Sequence, residues 1–198
     1  MVVEQIVNSI FKSNTFLLRE DGDTDYWLVD IGDIKPVLNM IPNGGRIRGV
    51  FLTHSHFDHI YGLNDLVKCF PDCLVFTSFH GNEGLLSDKL NCSRYSGTPF
   101  VYEGGNVQIL DDGDSVSLSH DCVMTAYATP GHDWSCLTYK AGNAVFCGDS
   151  HLPGVKVFTK LVKSNKDQAV VSENRILELS QGCVIYSGHG EVVENRIK

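Results

Sequence analysis

The sequence predicts an α/β domain whose sheets are covered by helices. Three observations carry this: short β-branched apolar runs recur between turn residues, three stretches show helical spacing, and 198 residues at 42% hydrophobic content can bury a sizeable core. The length fits one unit better than two, so residues 1–198 are expected to form a single domain.

The strand-like runs are residues 9–18, 26–31, 48–53, 73–77, 107–110, 115–119, 123–128, 136–139, 144–147 and 183–187. Most are bounded by Gly, Asn or Asp, which turn the chain where a strand ends. Helical spacing appears in residues 36–41, 60–70 and 168–181. In the last, Val171, Ile176, Leu177 and Leu179 are expected to face the core and Glu173, Asn174, Arg175 and Glu178 to face water. Strands, a helix, more strands, then a final helix and strand give an α/β order. Gly104-Gly105 and Asp111 to Asp114 read as turns. The two longest irregular stretches, 78–102 and 152–167, are where a pocket wall or lid is expected.

Composition excludes some partners. With 24 acidic and 16 basic residues, the formal net charge of −8 would repel a phosphate backbone unless the basic residues were gathered in one patch. Lys156, Lys160, Lys163 and Lys166 come nearest to such a patch and read as a solvated surface, so no nucleic acid is expected. The chain begins Met1-Val2-Val3-Glu4-Gln5, unlike an export signal, and no apolar run approaches the roughly 20 residues of a spanning helix. A cytoplasmic protein without a membrane partner is expected. Its oligomeric state is not legible. Seven scattered cysteines suit reduced thiols, and Cys69 and Cys73, although spaced like half of a zinc knuckle, have no second pair at a suitable distance.

The informative stretch is Thr53-His54-Ser55-His56-Phe57-Asp58-His59, after the apolar run Gly49-Val50-Phe51-Leu52. Side chains alternate along an extended segment, so His54 and His56 project to one side where the strand runs out and can reach one ion. Asp58 and His59 lie in the turn beyond and can address a second ion, about 3.5–4 Å from the first as in other two-metal sites. Three further positions follow apolar runs beside glycine: His132 in Thr129-Pro130-Gly131-His132, Asp149 in Gly148-Asp149-Ser150, and His189 in Gly188-His189-Gly190. Glycine permits the sharp turns and close approaches that ligand loops at a sheet edge require.

These segments, in this order, resemble those of the metallo-β-lactamase superfamily, and the resemblance extends from about Tyr26 to His189. It implies a four-layer αβ/βα sandwich with two divalent metal ions at one edge of the facing sheets. His54, His56 and His132 would hold one ion, Asp58, His59 and His189 the other, and Asp149 would bridge them. Imidazole and carboxylate discriminate poorly among metals, so zinc is the default and iron or manganese remain open. A hydroxide held between the ions, kept in line by Asp58, would attack a carbonyl or phosphoryl centre of a small-molecule substrate.

Within the superfamily the motifs look most like glyoxalase II, a hydroxyacylglutathione hydrolase, and this implies hydrolysis of a small ester, thioester or lactone. Nine residues follow His189, so the helical extension with which that enzyme grips glutathione is not expected. β-Lactamases of the superfamily usually carry Cys or Ser at the position of Asp149, which disfavours antibiotic hydrolysis. Persulfide dioxygenases share the motifs but use one iron on the equivalents of His54, His132 and Asp149. An inert scaffold that has kept its ligands is the third reading.

Other residues are weaker candidates. His151 could act as a general acid but reads better as an exposed loop histidine. Tyr61 and Tyr186 could meet substrate or pack in the core. Asp133 is placed either to orient an imidazole or on the surface, Cys147 reads as a core thiol, and His80 and His120 are expected in polar turns.

Overall fold

The computed structural model describes residues 1–195. Among these residues twelve strands form two six-stranded sheets. The first runs in chain order through β1 (Val2–Val7), β2 (Asn14–Arg19), β3 (Asp25–Val29), β4 (Arg46–Phe51), β5 (Leu74–Thr77) and β6 (Val107–Ile109). The second takes β7 (Ser115–Ser117), β8 (Val123–Ala128), β9 (Leu137–Ala141), β10 (Ala144–Gly148), β11 (Val184–Ser187) and β12 (Val193–Glu194), again side by side in sequence order. Among the described residues four α-helices complete the framework: α1 (Ile34–Met40), α2 (Leu63–Cys69), α3 (Phe79–Leu85) and α4 (Lys166–Leu179).

Alternation along the strands builds the layers. Leu17, Leu28, Val50 and Val75 face outward and pack beneath Val37 of α1, Leu63 and Leu66 of α2 and Leu85 of α3. Their neighbours Phe16, Leu18, Trp27, Phe51 and Phe76 face the second sheet and meet Met124, Leu137, Tyr139 and Phe146. Phe51 and Phe76 stack with ring centres 4.6 Å apart, and the buried Tyr139 hydroxyl donates to the Leu52 carbonyl at 2.9 Å. On the far side, Ile176 of α4 packs on Cys147 and Ile185. The result is the expected αβ/βα sandwich.

Strand direction gathers the motif segments. β3 to β6 are mutually parallel, as are β10 and β11, so the chain leaves β4, β10 and β11 at one edge of the sandwich. The two sheets are stitched there by Leu137 N–H to the Thr53 carbonyl (2.8 Å) and Asn14 N–H to the Gly188 carbonyl (2.7 Å), and Gly188 N–H donates to the Gly148 carbonyl (2.8 Å) within the second sheet.

Several expectations need correction. On α4 the buried positions are Ala169, Ser172 and Ile176, while Val171 and Leu177 are exposed and Glu173 and Arg175 are half-buried. Arg175 is turned inward because it donates to the Ala128 carbonyl and pairs with Asp112. Residues 9–13 form a turn, with Phe11 and Lys12 at positive φ, and the strand begins only at Asn14. β1, an edge strand with one fully buried residue, Ile6, was not anticipated, nor was β12. α3 lies inside the stretch expected to be irregular, and His80 sits on it rather than in a turn. All seven cysteines are unpaired, and none joins a metal-ligating group among the described residues. No helix among the described residues is long and apolar enough to cross a membrane.

Candidate metal centre

All seven predicted donors meet at the edge where β4, β10 and β11 end. Ligand atoms of His54, His56 and His132 lie within 4.8 Å of one another, as do those of Asp58, His59 and His189. Asp149 faces both trios: Oδ2 is 3.5 Å from His132 Nε2 and 3.4 Å from His189 Nε2, and Oδ1 is 3.5 Å from His59 Nε2. Glycine permits this crowding. Gly148 turns at φ +51 against Thr53, and a Cβ at Gly188 would collide with Asp149 Oδ1 and the His59 ring.

Hydrogen bonds behind the imidazoles fix which nitrogen faces inward. His59 Nδ1 donates to Asp30 Oδ2 at 2.9 Å, His132 Nδ1 to the Phe158 carbonyl at 2.9 Å, and His189 Nδ1 to the Phe11 carbonyl at 3.2 Å. The Thr53 hydroxyl gives its proton to Asp30 Oδ2 at 2.7 Å, so it accepts from His54 Nδ1 at 3.1 Å. Carboxylate and carbonyl oxygens only accept, so in four rings Nδ1 is the engaged donor and Nε2 is turned into one space. His56 is reversed: Nε2 lies 3.7 Å from Asp133 Oδ2, and Nδ1 lies 2.9 Å from His132 Nε2.

This donor set fits metal cations. The Nε2 atoms of His54 and His59 and Oδ1 of Asp149 are buried without a hydrogen-bond partner among the described residues, a costly state unless something electropositive meets them. His56 Nδ1 and His132 Nε2 lie 2.9 Å apart, within hydrogen-bond distance, and His56 Nε2 is likewise buried without a hydrogen-bond partner among the described residues. A third trio, Asp30, His54 and His59, is support and not a further site, because the Asp30 oxygens already accept from Thr53 and His59.

Charge differs across the cluster. Burial, reinforced by the cationic forms of His59 and His56, holds His54 well below its ordinary pKa. Burial and the neighbouring His132 hold His56 down to about 4. Burial also opposes charge on His59 and His189, but carboxylates overcome it. Asp58, Asp149 and Asp30 raise His59 to about 9, and Asp149 and Asp58 raise His189 to about 10. Burial likewise disfavours the charge on Asp58 and Asp149, yet His59 and His189 hold both carboxyls below their usual range.

Two supporting residues stand out. Asp30 was not anticipated: it is buried, adopts φ +56, and accepts from Thr53 N–H, the Thr53 hydroxyl and His59. In the sequence it is one polar residue near the end of the strand-like run 26–31, a position that ordinarily marks a turn. Asp133 is buried and not on the surface. It accepts from the Ser135 amide at 2.9 Å and from the Ser135 hydroxyl while facing His56.

The weaker candidates lie outside the cluster. His151 is buried, contrary to expectation, and pairs through Nδ1 with Glu173 at 3.1 Å without lining the cavity over the cluster. Tyr61 donates to Asp33 at 2.8 Å, Tyr186 stacks on Phe146, and Cys147 is a buried core thiol. His80 stacks on Trp134, and His120 is exposed beside Asp121.

An open cavity of about 580 Å³ stands over the cluster, floored by His56, Asp58, His132, Asp149 and His189. Its walls come from both stretches expected to build them: Cys92, Tyr95 and Ser96 from one, and Phe158, Lys160, Leu161 and Val162 from the other. Phe11, from the turn before β2, closes the remaining side.

Comparison with known proteins agrees with this architecture. The structure is similar to that of the BLEG-1 B3 metallo-beta-lactamase, with a TM-score of 0.88 at 24% identity, covering 97% of this chain and 93% of that one. It is similar to TTHA1623 in a di-iron-bound form (TM-score 0.82, 22% identity, 98% and 95% covered). It also resembles ETHE1 from Myxococcus xanthus (TM-score 0.77, 25% identity, 98% and 80% covered). The family profile of the Metallo-beta-lactamase superfamily matches residues 11–189, so the chain belongs to that superfamily.

Proposed function

We propose that this chain is a binuclear metal-dependent hydrolase of a small ester, thioester or lactone, nearest in type to the hydroxyacylglutathione hydrolases. The observation that carries the reading is the pair of donor trios meeting at Asp149, where Nε2 of His54, His56 and His59 and Oδ1 of Asp149 are buried without a hydrogen-bond partner among the described residues. His54, His56 and His132 would hold one divalent ion, Asp58, His59 and His189 the other, and Asp149 both. Zinc is the default, and the likeness to a protein in di-iron-bound form keeps iron in view.

When bound, such ions supply Lewis acidity and bring the pKa of water from 15.7 toward about 7. The chain's residues supply the rest. Asp58 lines the cavity, with Oδ2 3.3 Å from His189 Nε2 and 3.4 Å from His59 Nε2, where it can accept a hydrogen bond from the attacking water and hold it in line. Asp30, Asp133 and the carbonyls of Phe11 and Phe158 hold the rings so that little reorganisation accompanies the reaction. The walls limit water to the open side of the cavity.

The test is turnover of an ester, thioester, lactone and β-lactam panel by metal-loaded protein. Hydrolysis abolished by a chelator and restored by zinc, iron or manganese is the expected result. The β-lactam belongs in the panel because of the likeness to a B3 metallo-beta-lactamase. A second reading, a mononuclear iron dioxygenase using His54, His132 and Asp149, is favoured by the likeness to ETHE1. It leaves the trio Asp58, His59 and His189 without a task. Oxygen consumption with a persulfide by protein holding one iron would establish it instead.

A further inference from the structure

The cavity floor is polar, but its rim is not. Phe11, Tyr95, Phe158 and Val162 are 74%, 70%, 51% and 48% exposed, and Leu161 is 39% exposed, although all are large apolar side chains. They come from three separate segments and converge on one cavity, where the polar wall residues are limited to Cys92, Ser96 and Lys160. Scattered exposed apolar side chains are ordinary, whereas a convergent set around a site with a polar floor marks a ligand surface.

Two of these residues are tied to the cluster itself. The Phe158 carbonyl accepts from His132 of the first trio, and the Phe11 carbonyl accepts from His189 of the second. The two phenyl groups therefore stand on either flank of the centre, each anchored through its own backbone to one trio. Phe158 is further fixed because its loop is knitted to the His132 segment: the Ser164 hydroxyl donates to the His132 carbonyl at 2.6 Å and Asn165 N–H to the Gly131 carbonyl at 2.8 Å. Lys163 of the same loop lies over the Trp134 ring at 4.0 Å.

Resting on the hydrolase reading, we infer that Phe11 and Phe158 are the walls of an apolar slot across both halves of the centre, and that the substrate carries an aryl or medium-length alkyl group next to the scissile bond. Substrates whose acyl part is small or highly polar would leave this rim in water and gain nothing from it. Burying each added methylene is worth up to about a fourfold gain in affinity, so chain length is a direct readout.

The geometry supplies a clean perturbation. Replacing either side chain leaves its backbone carbonyl, and so the orientation of His132 or His189, in place. Metal-loaded wild type, Phe11→Ala, Phe158→Ala and the control Phe79→Ala, 60% exposed but outside the cavity, would be compared on acetyl, butanoyl and hexanoyl thioesters of N-acetylcysteamine. Binding of acetohydroxamate and hexanohydroxamate, which share one metal-seeking head group, would be measured by calorimetry. The expected result is kcat/KM and affinity rising about two- to fourfold per methylene in wild type. Each slot variant should lose about fivefold or more on hexanoyl relative to acetyl ligands, with metal content unchanged and the control unaffected. Equal affinity for the two hydroxamates, or losses shared by acetyl and hexanoyl ligands, would overturn the slot. If the hydroxamates show the chain-length preference but no ester, thioester or lactone of the panel is hydrolysed, the slot stands and the hydrolase reading fails.

Discussion

The two donor trios share one orienting logic and differ in charge. In His54, His56 and His132 every donor is an imidazole, and burial keeps His54 and His56 neutral near pH 7. In Asp58, His59 and His189 the same burial is overcome by carboxylates, and both histidines hold protons up to about pH 9 and 10 when no metal is bound. The first trio thus presents free lone pairs, while the second is an ion-pair network that a metal must displace. Burial alone does not make a ligand ready; the charge count around it decides.

The largest effect expected is from Asp149→Ala, which removes the carboxylate common to both trios. Activity should fall on the order of a thousandfold and metal content to one equivalent or fewer, measured on protein that still melts cooperatively. Unchanged metal content would mean that the trios load independently of Asp149.

Asp30→Asn and Asp133→Asn separate the trios next. Asp30 supports His59 directly and His54 through Thr53, so its loss should weaken metal affinity at both trios by about ten- to a hundredfold. Asp133 faces His56 alone, so its loss should weaken only the first trio. Competition with a chromophoric chelator reads both affinities.

A smaller effect, but more specific to the comparison, is proton release. Near pH 7 the first trio should load without releasing protons from His54 or His56, and the second should release about two, from His59 and His189. Zinc titration in buffers of different ionisation enthalpy measures this. The sign for folding is opposite. In the metal-free chain these two raised pKa values contribute stability that is fully present below 6.5 and lost as pH rises through about 9 and 10. Chelator-treated protein should therefore melt lower at pH 10 than at pH 6.

The smallest expected effect is that of His151→Gln. Because His151 is turned to Glu173 and does not line the cavity, kcat/KM should change by less than about twofold, with only a modest loss of stability.

The seven donors were legible because each follows a strand-like run, and strand direction then brings the run ends to one edge. The supports were not, because their partners are distant in sequence: Asp30 serves His54 and His59, and the carbonyls behind His132 and His189 carry no side-chain mark at all. α3 was hidden by its own Gly81 and Gly84, poor helix formers that are required where α3 approaches Thr77 and Ser55 too closely for a Cβ. α4 was seen but its buried face was misread, because Ser172 is buried by donating to the Pro130 carbonyl at 2.6 Å, a contact that hydrophobic periodicity does not register. His151, buried against expectation, and Asp133, whose placement the sequence left open, are likewise polar residues held inside by partners.

The measurement that bears most directly on the central claim is metal content per chain by elemental analysis, on protein purified without chelators and without a histidine-rich tag. Two equivalents of zinc, iron or manganese are predicted. A single equivalent that does not rise on reconstitution, or none, would contradict a centre built from two trios.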